Sequence, residues 1–173
     1  MSYNLIASTI PSVTGGLFGY EAVITVGDKL LISPASILAA YIISKETMSN
    51  PADNSDWPLY VSYLPDGVND NAGAIYNTQG IKDGRLMEGQ VIEHYGLQIK
   101  IRSDIHNTAW DKIEDISNDL DLINREEITV DFIDYLIHSV DRIGSIITLG
   151  TEPGTKKRQL FTLNFLVTLY RIT

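Results

Sequence analysis

The stretch Gly89–Leu122, GQVIEHYGLQIKIRSDIHNTAWDKIEDISNDLDL, carries the signal that decides the fold. Leu97, Ile99 and Ile101 alternate with Gln98, Lys100 and Arg102, a period of two that gives a strand one apolar and one polar face. Ser103 and Asp104 are expected to stop the strand and to offer a side-chain oxygen as helix cap. Beyond them Ile105, Ala109, Ile113, Ile116 and Leu120 recur at helical spacing. Asp111, Lys112, Glu114, Asp115 and Asn118 are left for water. A strand that runs directly into an amphipathic helix able to fold back over it predicts a two-layer α/β core.

Upstream, Ser33-Pro34 predicts a second helix, with Ser33 as cap and Pro34 in its first turn. Ile37, Leu38, Tyr41 and Ile42 form its stripe, which ends near Glu46. Ser49–Asp56 is rich in turn formers, and Trp57–Leu64 alternates as a strand before Pro65-Asp66-Gly67. Residues 67–88, rich in Asn, Asp and Gly, are expected to form a flap loop. Downstream, Ile128–Phe132, Tyr135–Arg142 and Val140–Leu149 suggest short strands, with a bulge at Gly144. Gly150–Lys157 reads as a hairpin loop turning at Pro153-Gly154. In the last strand, Gln159–Ile172, residues Phe161, Leu163, Phe165, Val167 and Leu169 share one face.

The expected fold class is therefore α+β: a mostly antiparallel sheet of four to six strands packed against two main helices. Residues 1–173 form a single domain, with residues 1–32 as an N-terminal arm or irregular segment. Tyr20–Val26 is a short strand or part of that arm.

The composition, 44% hydrophobic and 20% charged over 173 residues, is that of a folded domain. A net charge of −9 argues against nonspecific nucleic-acid binding by the whole surface. The chain has no cysteine, which excludes disulfides and thiolate zinc sites. No signal peptide or membrane span is expected: the most apolar window, Leu30–Ile43, is short and interrupted.

Candidate chemistry is sparse. His94, His106 and His138 are far apart and lack metal-ligand spacing, so surface or strand-face roles are favoured over ligation or catalysis. The acidic helix surface of Asp111, Glu114, Asp115, Asp119 and Asp121 lacks the pattern of a calcium loop, as do Asp66, Asp70 and Asp83. Gly150–Lys157 fails the P-loop pattern and precedes a strand, not a helix. No Gly-x-Ser-x-Gly is present, and no serine or threonine has a base nearby in sequence. No cofactor, metal site or catalytic residue is expected. The densest positive charge is Lys156, Lys157 and Arg158. It is either a solubilising hairpin tip or a contact for an acidic neighbouring subunit or for passing DNA.

The strand Trp57–Leu64, the central strand and helix ending in Asn118-Asp119-Leu120-Asp121, and the closing pair from Ser139 to Ile172 occur in a familiar order. With Gln98, Arg102, Arg142–Leu149, Gly150 and the run Arg158–Phe165, this resembles the tail terminator and minor capsid (tail completion) proteins of tailed bacteriophages. The resemblance spans Trp57–Ile172; residues 1–56 have no evident counterpart beyond the early helix. It implies a non-enzymatic virion protein of the tail or neck, assembled in the host cytoplasm. That protein would form a ring with itself, typically a hexamer, which caps the tail tube protein and docks on a head-tail connector or stopper protein. Phage DNA would pass through the lumen without sequence-specific binding. Under this reading Arg102, Lys156, Lys157 and Arg158 are the expected subunit or DNA contacts. A head-tail stopper is the neighbouring alternative. A small-molecule or protein-binding module, or a hydrolase with scattered catalytic residues, is the alternative of a different class.

Overall fold

A computed structural model describes residues 30–53, 55–67, 70–85, 91–152 and 158–172. Ser33 and Pro34 start the first helix, α1 (Pro34–Ser44), as the sequence predicts. The Ser33 hydroxyl accepts from the Ser36 amide at 3.1 Å, and Pro34 occupies a position where no amide proton is needed. The Ala35 amide, another donor without a partner inside the helix, reaches Asn77 Oδ1 at 3.1 Å.

Next come a single 3-10 turn (Pro51–Asp53), β1 (Leu59–Val61), β2 (Ala72–Arg85) and β3 (Val91–Ser103). They are followed by α2 (His106–Asp121), β4 (Asn124–Val130), β5 (Ile133–Thr151) and β6 (Gln159–Arg171). The sheet order is β1-β2-β3-β6-β5-β4, with β1 parallel to β2 and every other pair antiparallel. This is the expected α+β class.

Both helices pack on one face of the sheet. On α2, Ala109, Ile113, Ile116 and Leu120 are buried against β3, β5 and β6. They meet Leu97, Ile99 and Ile101 of β3 and Phe161, Leu163 and Phe165 of β6, the two apolar rows visible in the sequence. Helix α1 differs, because Ala35, Ile37, Leu38, Ala39, Tyr41 and Ile42 are buried around most of its circumference. A helix apolar on all sides must be surrounded. It packs on β1, β2 and β3 and also touches β4 at the opposite edge of the sheet. The sheet therefore curls around α1, as the right-handed twist of long strands allows.

The structure corrects several expectations. The stretch expected as a flap at 67–88 is mostly β2, fourteen residues paired along β3. Small and polar residues hid it: Ala72, Gly73 and Ala74 are buried, and Asn77–Gly84 are exposed, so no apolar alternation exists to read. The predicted strand Trp57–Leu64 shrinks to Leu59–Val61, bounded by Trp57 and Ser62 in the left-handed region. The two strands expected over Tyr135–Leu149 are one strand of nineteen residues, whose register shifts let it bend without ending. The expected strand Ile128–Phe132 begins earlier, at Asn124, and stops at Val130. Ser103 and Asp104 do not cap α2. Its N-cap is Ile105, which has no side-chain cap bond and is exposed, while Ser103 Oγ accepts from the Ile105 amide at 3.1 Å. Most of the predicted N-terminal arm, including Tyr20–Val26, lies outside the described residues.

At the bulge between Thr78 and Ile81 the two strand backbones come together at Gly96 and Gly80. A Cβ on Gly96 would collide with the Gln79 carbonyl, which is backbone and cannot swing aside. Gly96→Ala is therefore expected to cost about 1–3 kcal/mol, read from the urea midpoint. An unchanged midpoint would mean that the bulge relaxes freely. Tyr135, fully buried on β5, places its hydroxyl where no hydrogen-bond partner lies among the described residues. Tyr135→Phe removes an unmet polar group without changing shape. It is expected to leave stability unchanged or raise it by about 1 kcal/mol; a loss of that size would reveal a hidden partner.

Burial also pushes the Tyr41, Tyr76 and Tyr95 phenols up from their ordinary value; Lys45 opposes this at Tyr41, and Glu93 adds to it at Tyr95. The folded state thus favours neutral phenols. That stability is complete below the unfolded value of about 10 and is lost as pH climbs through the raised folded values. Alkaline unfolding is expected to coincide with phenolate appearance in an ultraviolet titration. Phenolate formation well ahead of unfolding would contradict it.

Candidate functional site

Two of the basic residues singled out by the sequence, Arg102 and Arg158, converge at the connection between β5 and β6. Arg102, at the end of β3, pairs in register with Ala72 on β2 and Leu160 on β6. Arg158 closes the connection, where the Glu152 amide donates to its carbonyl at 2.8 Å. Neither guanidinium faces water: Arg102 is 0% and Arg158 7% exposed. Glu152 lies between them, taking Arg102 Nη1 at 3.4 Å on one oxygen and Arg158 Nη1 at 3.3 Å on the other. Arg158 also donates from Nε to Asp70 at 2.9 Å and from Nη1 to the Asp66 carbonyl at 3.1 Å. Ser103 reaches Asn71 at 2.7 Å beside them.

Among the described residues, two cations and two carboxylates thus form a compact cluster. It ties the β5–β6 connection to the Asp66–Asn71 loop and to the end of β3. Burial alone would lower the Arg158 pKa, but its bonds to Asp70 and Glu152 more than offset that and raise it, so the guanidinium stays charged. Lys156 and Lys157 lie outside the described residues.

The three histidines take separate places. His106 is exposed at the start of α2, edge-on to Phe161 at 5.0 Å, and His138 is exposed on β5, edge-on to Tyr170 at 6.0 Å. His94 is the one set in a polar network. Its Nδ1 lies 2.7 Å from Thr168 Oγ1 and its Nε2 3.0 Å from Asp83 Oδ2. Thr168 also meets Ser139 at 3.3 Å. No threonine has a base nearby in sequence; His94 is 74 residues from Thr168, and the β3–β6 pairing joins them.

A carboxylate, an imidazole and a hydroxyl in line are the parts of a nucleophile and its base. Thr168, however, is 3% exposed towards the end of β6, where the flanking strands β3 and β5 pair with it on both sides. The network therefore works as a cross-strand polar tie over β2, β3, β6 and β5.

On α2, Asp111, Glu114, Asp115 and Asp121 are exposed, and Asp119 accepts from the Thr47 hydroxyl, joining the chain after α1 to α2. Among the described residues no group of three or more acidic or histidine side chains could hold a metal ion. No described helix is long and apolar enough to cross a membrane. Glu152 was not singled out in the sequence, and Asp66 and Asp70 were weighed there only as calcium ligands, because their partners are set by folding; Asp70 and Arg158 are 88 residues apart.

The sequence matches no curated protein. It does match a family model described as bacteriophage tail terminator protein over residues 38–170, which includes β1 to β5, β6 up to its last residue, α2 and most of α1. The match begins inside α1, so the relationship reaches further towards the N-terminus than the element order from Trp57 suggested. With a match over most of its length, the chain belongs to the bacteriophage tail terminator family.

Proposed function

We propose that this protein is a tail terminator: a virion subunit that forms a ring with itself, caps the tail tube, and joins the tail to a head-tail connector or stopper protein. The family match over residues 38–170 carries this reading. The fold is consistent with it, since the charged groups at the β5–β6 connection are organised for rigidity. DNA would pass through the ring without sequence-specific contacts, and an acidic chain of net charge −9 suits a surface over which DNA slides. The ring would be a hexamer.

In this reading Arg102 and Arg158 act from beneath, fixing the base of the β5–β6 connection. Lys156 and Lys157 between Glu152 and Arg158 touch a neighbouring subunit or the passing DNA. A head-tail stopper or other tail-completion role is the nearest alternative.

The test is light scattering after size exclusion over a concentration series, with and without the tail tube protein. A ring-sized species, alone or induced by tube protein, supports termination. A monomer that ignores tube protein at every concentration overturns it.

The line Asp83–His94–Thr168 favours a second reading, hydrolysis with Thr168 as nucleophile. Its burial weighs against this. Thr168→Val removes the hydroxyl and, on the structural reading, leaves assembly intact.

A further inference from the structure

β3 pairs with β6 without interruption from His94 to Ser103. His94 therefore stands on the sheet face opposite Leu97, Ile99 and Ile101, which pack under the helices. Thr168, Ser139 and Asp141 follow on that same face across β6 and β5. With Asp83 of β2 they make a line over four strands. His94 Nε2 lies 3.0 Å from Asp83 Oδ2, and His94 Nδ1 lies 2.7 Å from Thr168 Oγ1. Ser139 Oγ then lies 3.3 Å from Thr168 Oγ1 and 3.4 Å from Asp141 Oδ2.

Each of these four contacts needs one proton, and the ionised carboxylates at the two ends supply none. Thr168 and Ser139 bring one hydroxyl proton each. A neutral imidazole adds one, making three for four contacts; an imidazolium adds two, making four. The line is thus one proton short whenever His94 is neutral. The distances place the slack at the β5 end, where the 3.4 Å contact to exposed Asp141 exceeds an ordinary hydroxyl bond.

We propose that the line from Asp83 to Asp141 is a proton-operated relay whose hydrogen bonds reverse direction when His94 changes charge. With His94 neutral, its Nε2–H donates to Asp83, Thr168 donates to Nδ1, Ser139 donates to Thr168, and Asp141 is left to water. When His94 gains a proton, Nδ1–H donates to Thr168, both hydroxyls turn over, and Ser139 donates to Asp141. Protonation on β3 is thereby coupled to a bond on β5, between the two register shifts at Ile137/Ser139 and Ile143/Ile147. The other charged groups nearby are otherwise engaged. Lys82 and Glu93, next to Asp83 and His94 in the chain, pair with each other at 3.8 Å. His138, beside Ser139, packs edge-on against Tyr170, and Lys100 lies over the Tyr76 ring. The relay does not depend on the chain forming a ring.

Nuclear magnetic resonance on the full chain tests it. Long-range proton–nitrogen correlations are expected to show the Nε2–H tautomer for neutral His94, a reading made on the wild type. In a pH titration the Asp141 carboxyl carbon is expected to show, besides its own titration, an inflection at the His94 midpoint. Ser139→Ala interrupts the line but leaves the imidazolium charge in place, and is expected to abolish that inflection. His138→Gln is expected to keep it; its loss there would assign the inflection to the neighbouring ring and overturn the relay. An Nδ1–H tautomer, or no inflection in the wild type, would also overturn it. So would an inflection that survives Ser139→Ala, which would reduce the coupling to the field of the imidazolium.

Discussion

Glu152→Gln is expected to destabilise the protein by about 3 kcal/mol, at the lower end of what breaking a buried ion pair costs. Glu152 is the shared acceptor for two arginines, with one oxygen facing each. Glutamine keeps the shape and one acceptor, but it turns an amide towards the other guanidinium, donor against donor, and removes the negative charge. Arg102 is fully buried and cannot recover that loss from water. Arg158 keeps Asp70 and the Asp66 carbonyl, and Glu152 retains 18% side-chain exposure, which is why the estimate stays low in the range. For a chain of this size the shift in Tm is about 6–12 °C. The control is Glu93→Gln, which breaks the exposed 3.8 Å pair with Lys82 and is expected to cost no more than about 0.5 kcal/mol. Equal effects of the two substitutions would show that the cluster does not hold the β5–β6 connection.

How much of this was legible in the sequence depended on where the information lies. The rows Leu97, Ile99, Ile101 and Phe161, Leu163, Phe165 were read directly, because burial of one strand face imposes a period of two on the sequence. The α2 stripe and the Ser33-Pro34 start of α1 were legible for similarly local reasons. β2 was not, since it packs through Ala72, Gly73 and Ala74 near its start and is exposed beyond Tyr76, leaving no hydrophobic alternation. Arg102 and Arg158 stood out as basic residues, but their burial depends on Glu152 and Asp70, which the chain brings together only on folding. The His94–Thr168 bond is hidden in the same way. Local chemistry shows in sequence; pairings across the sheet show in the structure.

Phe161→Ala is expected to have the larger effect, a loss of about 3–5 kcal/mol, because it empties a fully buried site and also releases the start of α2. That helix begins without help from its own sequence. Ile105 offers no side-chain oxygen, and no acidic residue lies in the first turn to meet the positive end of the helix dipole. Aromatic packing takes their place. Phe161 meets His106 edge-on at 5.0 Å and Trp110 at 5.9 Å, fastening both ends of the first turn to β6. Removing the ring should therefore do more than lower the urea midpoint: amide exchange in the first turn of α2 should rise before global unfolding, with the Ile113–Leu120 turns still protected. Ile105→Asp supplies the missing cap and is expected to restore about 1 kcal/mol in either background, mostly through protection of the same amides. Uniform loss of protection along α2 would mean that the helix melts as one unit and that the Phe161 contacts do not hold its start separately.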